Sequence, residues 1–205
     1  MGNLQAPRRE EIINESMKLF VRKGFNHTTV QEITNATGLS KGAFYWHFTS
    51  KDELLMTILD RYESSYVDGV IGAFEAAEGD FLRKFKYIHK WTTEFAYNNR
   101  DLCVGFTTMA AEMAGGGTTI ESRIRAIQTR YRGVLKDLLL VGRKEGAIRD
   151  DLDLDLVTHV INAIYEGMLI EWYSNRDEMD GRQFTITYRE IALSGILKQR
   201  RRSKT

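Results

Sequence analysis

The chain has 205 residues, a formal net charge of +1, 42% hydrophobic residues and a single cysteine. That length suffices for one large domain, or a small one plus a medium one, with a core that needs no metal or disulfide staple, and the lone Cys103 excludes an intramolecular disulfide. No apolar run approaches the roughly 18 residues of a membrane span and the start lacks a signal-peptide pattern, so a cytoplasmic protein that does not enter the membrane is expected.

The small total conceals a segregation of charge. Met1–Lys51 carries seven Lys/Arg against four Asp/Glu, Asp52–Leu197 carries 17 against 24, and Lys198–Thr205 adds five positive charges. A basic start beside an acidic body suits phosphate contact by the first part alone, although an excess of three is also what a solvated surface carries. Proline occurs once, at Pro7, and the periodicity between glycines is helical throughout. An all-α fold of about nine helices follows.

Arg8–Lys23 places Ile12, Ile13, Ser16, Leu19 and Phe20 at helical spacing opposite Glu10, Glu11, Glu15 and Lys18, with Gly24 as the stop. Thr29, with Glu32 three residues on, reads as a capping box opening a second helix whose Val30, Ile33 and Ala36 face inward. Gly38 permits a left-handed turn, and Ser40 caps a third helix ending near His47. The Thr49–Glu53 stretch then caps a long helix in which Leu54, Leu55, Ile58, Leu59, Tyr62 and Tyr66 recur at helical spacing towards Phe74. Further helices are predicted at Asp80–Asn98, Asp101–Met113, Thr119–Lys144 and Arg182–Lys198. Gly115-Gly116-Gly117 is a connector, since no Lys-Ser/Thr pair follows it as in a phosphate cradle. Asp151–Leu156 alternates like a strand but runs into Val157, Val160, Ile161 and Ile164, which predicts a helix with Asp153 as its N-cap.

A helix that reads DNA must present polar residues to base edges, let its backbone approach, and keep a separate buried face. Ser40 to Lys51 meets each need: Ser40, Lys41, Tyr45, His47 and Lys51 are donors, Gly42 and Ala43 are small, and Phe44 and Phe48, four apart, share the inner face. Alone, Tyr45 could be a core aromatic and Lys51 an ordinary surface lysine. His27, His47, His89 and His159 are scattered without ligand spacing, so no metal and no cofactor are expected.

The run Thr29-Val30, Ile33, Ala36, Gly38-Leu39-Ser40-Lys41-Gly42, Phe44-Tyr45, His47-Phe48, Lys51 and Leu54 resembles the amino-terminal signature of the tetracycline-repressor (TetR) family. The resemblance covers about the first 55 residues. It implies a three-helix helix-turn-helix DNA-binding domain at 1–51 and a larger helical ligand-binding and dimerisation domain at 52–198; the basic tail at 199–205, a chain terminus, is expected to be disordered. The resemblance implies, too, a homodimer that binds a double-stranded operator and releases it when a small apolar or amphipathic molecule binds. Carried over by position, Thr29 contacts phosphate, Ser40, Lys41 and Gly42 contact the operator, and Tyr45, His47 and Lys51 clamp its backbone, with Trp46 partly exposed at the groove. Ala43 stands where the family often has a polar residue, which suits a methyl contact with thymine.

In the family the helices of the body enclose the ligand. Most body aromatics and methionines are core by default; the candidates to line the site are Tyr66, Trp91, Phe95, Phe106, Met109 and Tyr131, with Glu94, Glu112 or Tyr165 as polar anchors. The last two helices carry the family-implied dimer face: Val157, Val160, Ile161, Ile164, Gly167 and Met168 on one, Tyr188, Ile191, Ala192, Gly195 and Ile196 on the other. An activator, or a regulator without a ligand, remains an alternative. An enzyme is not expected, because no metal spacing, nucleophile elbow or phosphate loop occurs and Cys103 has no histidine near it in sequence.

Overall fold

A computed structural model describes residues 5–198, with side chains from residue 8 onward; the tail at 199–205 lies outside the described residues. The helices are α1 (Gln5–Lys23), α2 (Val30–Thr37), α3 (Lys41–His47), α4 (Lys51–Tyr62), a π-helical turn (Glu63–Val67), α5 (Asp68–Ala76), α6 (Phe81–Asn98), α7 (Arg100–Met113), α8 (Thr119–Lys144), α9 (Leu154–Ser174) and α10 (Gly181–Ile196). Since α4, the π turn and α5 follow without a break, nine continuous helical segments result among the described residues. The fold is all-α. Asp151–Leu156 forms no strand: Asp153 accepts from the N–H groups of Asp155 and Leu156 and caps α9 as the sequence predicts. An isolated bridge lies elsewhere, between Ile148 and Leu197.

Two compact units share the chain. One takes the chain up to Ser65 together with Asn99–Ile127, and the other takes Tyr66–Asn98 and the described residues from Gln128 on. This compactness boundary differs from the functional division expected after Lys51, since α4, α7 and the start of α8 join the first three helices.

In the first unit, Ile12, Ile13 and Phe20 of α1, Ile33 of α2, Phe44 of α3 and Leu54, Leu55 and Leu59 of α4 are fully buried. α7 packs against both α1 and α4. The inner face of α2 differs from the predicted one: Ala36 is exposed and Val30 half-buried, whereas Thr34 and Thr37 are buried. At 100° per residue the inward stripe runs 30, 33, 34, 37, and position 36 lies well off it. The two threonines tolerate burial because their hydroxyls donate to the carbonyls of Gln31 and Ile33, at 2.9 and 3.0 Å.

The π turn is absent from the sequence reading, because one extra residue leaves the apolar spacing from Leu54 to Tyr66 looking continuous. Ser64 and Ser65 both donate to the carbonyl of Arg61, at 3.2 and 2.5 Å, offering that carbonyl partners other than the helical N–H ladder. In the second unit α5 packs on α6 and α6 on α10. Gly69 of α5 is necessary there, since a Cβ would lie 2.3 Å from the Trp91 ring.

Candidate nucleic-acid interface

The third helix divides cleanly by face. Phe44 and the following Phe48 are buried, with rings 5.9 Å apart, while Ser40, Lys41 and Gly42 are exposed, Tyr45 is 52% exposed and Trp46 62% exposed. Ala43 and His47 are half-buried, and the His47 ring meets Trp46 edge-on at 4.6 Å. Two caps set the angle of the helix pair. The Ser40 Oγ accepts the Ala43 N–H at 3.1 Å, and Gly38 takes φ +66°, the left-handed conformation the turn requires. Ser40 thus caps with its lone pair and keeps its proton for an outside acceptor.

Thr29 begins α2 with the complete capping box: its backbone N–H and its hydroxyl both donate to Glu32 Oε2 at 2.9 Å, and the Glu32 N–H returns to Thr29 Oγ1 at 3.3 Å. Lys23 pairs with Glu32, and that hydrogen bond, followed by those from Thr29, holds the Glu32 carboxyl down at about 2. Lys51 is half-buried, and its ammonium donates to the carbonyls of Phe25 at 2.7 Å and Thr28 at 2.8 Å while lying 4.2 Å from the centre of the Phe25 ring. Partial burial lowers its pKa. Partial burial, then Arg9, lowers that of His47.

In the second unit the rings of Trp91, Phe95, Tyr131 and Tyr165 surround Tyr66 at 6.1, 5.3, 5.5 and 6.2 Å between centroids. The Tyr66 and Tyr131 hydroxyls are 3.4 Å apart, and Tyr165 donates to the Thr92 carbonyl at 3.4 Å. Four of the six expected lining residues therefore come together, with Tyr165 beside them. The other two, Phe106 and Met109, are buried in the first unit, where Phe106 stacks on Tyr62 at 3.9 Å. Glu94 is exposed and pairs with Lys90, while Glu112 binds backbone near α1. Sequence reasoning places Tyr188 only on the dimer face and His89 only among four scattered histidines. The Tyr188 hydroxyl is buried without a hydrogen-bond partner, its ring lies 6.1 Å from His89, and burial, then Tyr131, raises its pKa.

On α9, Leu156, Val160 and Ile164 form an exposed apolar stripe, 65, 56 and 43% exposed, with Gly167 open above them. On α10, Ile191 is 65% exposed and Gly195 is open, with Ala192 half-buried. Val157, Met168 and Tyr188 are half-buried, whereas Ile161 and Ile196 are buried within their own unit and fall off the face. Leu156 was missed because it looked like part of the alternating cap. Among the described residues no three His, Cys, Asp or Glu side chains group as a metal site, and no helix is long and apolar enough to cross a membrane.

Residues 12–58 match the family described as bacterial regulatory proteins, tetR family. The HTH-type transcriptional repressor KstR2 of Mycobacterium tuberculosis is 29% identical over 202 residues, covering 94% of each chain. The crystal structure of the MbdR regulator from Azoarcus sp. CIB superposes with a TM-score of 0.85 at 28% identity, over 92% of this chain and 98% of that one. This chain belongs to the tetR family. The FadR regulator of Bacillus subtilis, solved in complex with stearoyl-CoA, shares the fold, with a TM-score of 0.74 at 18% identity over 91% of this chain and 98% of that one. As a tetR-family protein the chain is a transcriptional regulator that binds DNA. The family match covers α2, α3 and most of α1 and α4, the elements that position Thr29, Ser40 to His47 and Lys51.

Proposed function

We propose that the chain is a homodimeric, ligand-responsive repressor that acts by binding DNA in the cytoplasm and performs no catalysis. Residues 1–51 form its reading head and 52–198 its ligand-binding and dimerisation body. The observation that carries the reading is the division of α3: Ser40, Lys41, Gly42, Tyr45 and Trp46 are exposed together, and Phe44 and Phe48 anchor the other side. In a major groove, Lys41 and the small Gly42 approach base edges and phosphate, Ala43 offers a methyl to thymine, and Tyr45 and His47 reach the flanking backbone. Thr29 acts through the cap that aims the start of α2 at a phosphate, and Lys51 acts from beneath by holding the loop before α2.

The uncovered stripe of Leu156, Val160 and Ile164, with Gly167 and Gly195 open, supports pairing of α9 and α10 with a second copy. Such a dimer addresses two half-sites about 34–36 Å apart, or a multiple. The box of Tyr66, Trp91, Phe95 and Tyr131 supports an apolar or amphipathic ligand, in keeping with a relative named a ketosteroid regulator and a structural neighbour holding stearoyl-CoA. The test is fluorescence anisotropy with duplex DNA from upstream of the protein's own gene and with a shuffled duplex, from about 50 to 200 mM salt. Binding should favour the upstream duplex, fall steeply with salt, and weaken when stearoyl-CoA or a sterol ketone is added. Equal affinity for both duplexes would sink the operator reading.

A further inference from the structure

The loop from Gly24 to Thr28 joins α1 to α2, and therefore sets where the reading pair begins. Both polar groups of the Phe25 residue within it are held by side chains from distant helices. Glu112, on the last turn of α7, accepts the Phe25 N–H with Oε2 and the Asn26 N–H with Oε1, each at 2.7 Å. From the start of α4, Lys51 holds the Phe25 and Thr28 carbonyls. Two consecutive N–H groups aimed at one carboxylate form an anion nest, and Gly24 at φ +83° makes it possible. Gly24 also makes the room, since a Cβ there would lie 3.0 Å from Glu112 Oε2. Thr28 closes the loop by donating to the Gly24 carbonyl at 2.7 Å, and Thr29, the cap of α2, comes next.

We infer that Glu112 is a positioning residue for DNA recognition, its carboxylate fixing the loop that aims α2 and α3 at the operator. Both of its oxygens are engaged with the head, which removes Glu112 from the candidates for a ligand anchor. Its helix also carries Phe106, stacked on Tyr62 of α4, so any displacement of α7 within this unit is felt at the loop through two short, charge-assisted hydrogen bonds. Without the carboxylate the loop samples other arrangements. Operator affinity then falls by the fraction of heads correctly placed, whereas loose phosphate contact with arbitrary DNA is much less affected.

The inference rests on the operator-binding reading, and the experiment separates the two. Glu112→Gln keeps the volume but sets an amide N–H group against one of the two backbone N–H donors. At 25 °C, with helical content unchanged by circular dichroism, its affinity for the upstream duplex should fall about tenfold while its affinity for shuffled duplex stays within about twofold, with the same salt slope. The Phe25 and Asn26 amide protons should exchange faster in the variant. Glu112→Asp, which retains the charge on a shorter reach, should fall between wild type and Gln, and it decides the matter if the Gln variant does not fold. Unchanged operator preference in a folded variant with faster exchange at the two amides would make Glu112 a loop cap only and overturn the inference, as would unchanged exchange. If the wild type itself does not prefer the upstream duplex, the operator reading fails and takes the inference with it.

Discussion

His89 on α6 gives this protein a defined weakness to acid. Burial, with a smaller contribution from Arg189, pushes the imidazole down from its ordinary 6.5 to about 4, against the opposing effects of the Thr185 backbone and Glu190. The unfolded chain therefore takes up this proton near pH 6.5, and the folded chain only near pH 4. The stabilising contribution is complete above pH 6.5 and is lost progressively as pH falls towards 4. The difference amounts to about 3 kcal/mol in full and about 2 kcal/mol by pH 5. Carboxylates also respond to acid, so the informative quantity is a difference between variants. Urea unfolding of wild type and of His89→Gln at pH 8 and pH 5, at one protein concentration, should show the wild type losing about 2 kcal/mol more than the variant. Equal losses would refute the reasoning and place the ring in contact with water.

Four other outcomes follow from the geometry of the head and of the thiol. Trp46→Ala removes an exposed ring, so thermal stability should stay within about 0.5 kcal/mol while upstream-duplex affinity drops, whereas Phe44→Ala empties a buried site and should cost about 3–5 kcal/mol by urea titration. Gly24→Ala places a side chain at φ +83° against Glu112, and denaturant titration should read a loss of about 1–2 kcal/mol. Burial pushes the Cys103 thiol up to about 12, so an aromatic disulfide reagent at pH 8 should react with the native protein far more slowly than with urea-unfolded chain.

Local features were legible where the cause lies within a few residues. The capping box of Thr29 and Glu32, the Ser40 and Asp153 caps and the limits of α8 each depend on neighbours along the helix, and each stands where the sequence places it. The same holds for the opposed faces of α3, because Phe44 and Phe48 are one turn apart. The inner face of α2 was misjudged since an eight-residue helix gives periodicity little to work with, and buried Thr34 and Thr37 do not look apolar. Glu94 and Glu112 looked alike as possible ligand anchors, yet one pairs with a neighbouring lysine in solvent and the other binds the α1–α2 loop.

The sequence by itself determined that the chain is helical, where most of its helices begin and end, and which short helix sets donors on one face against buried aromatics on the other. Its helical content, its helix limits and the division of α3 into exposed donors and buried aromatics follow from propensity, capping and a 3.6-residue period, which act over four or five positions. Only the tertiary structure decided what Lys51 and Glu112 hold, which aromatic rings surround Tyr66, and that Ile161 is buried while Leu156 stands exposed. Glu112 meets Phe25 across 87 positions of sequence, and no local rule reports such a meeting because it depends on how whole helices pack.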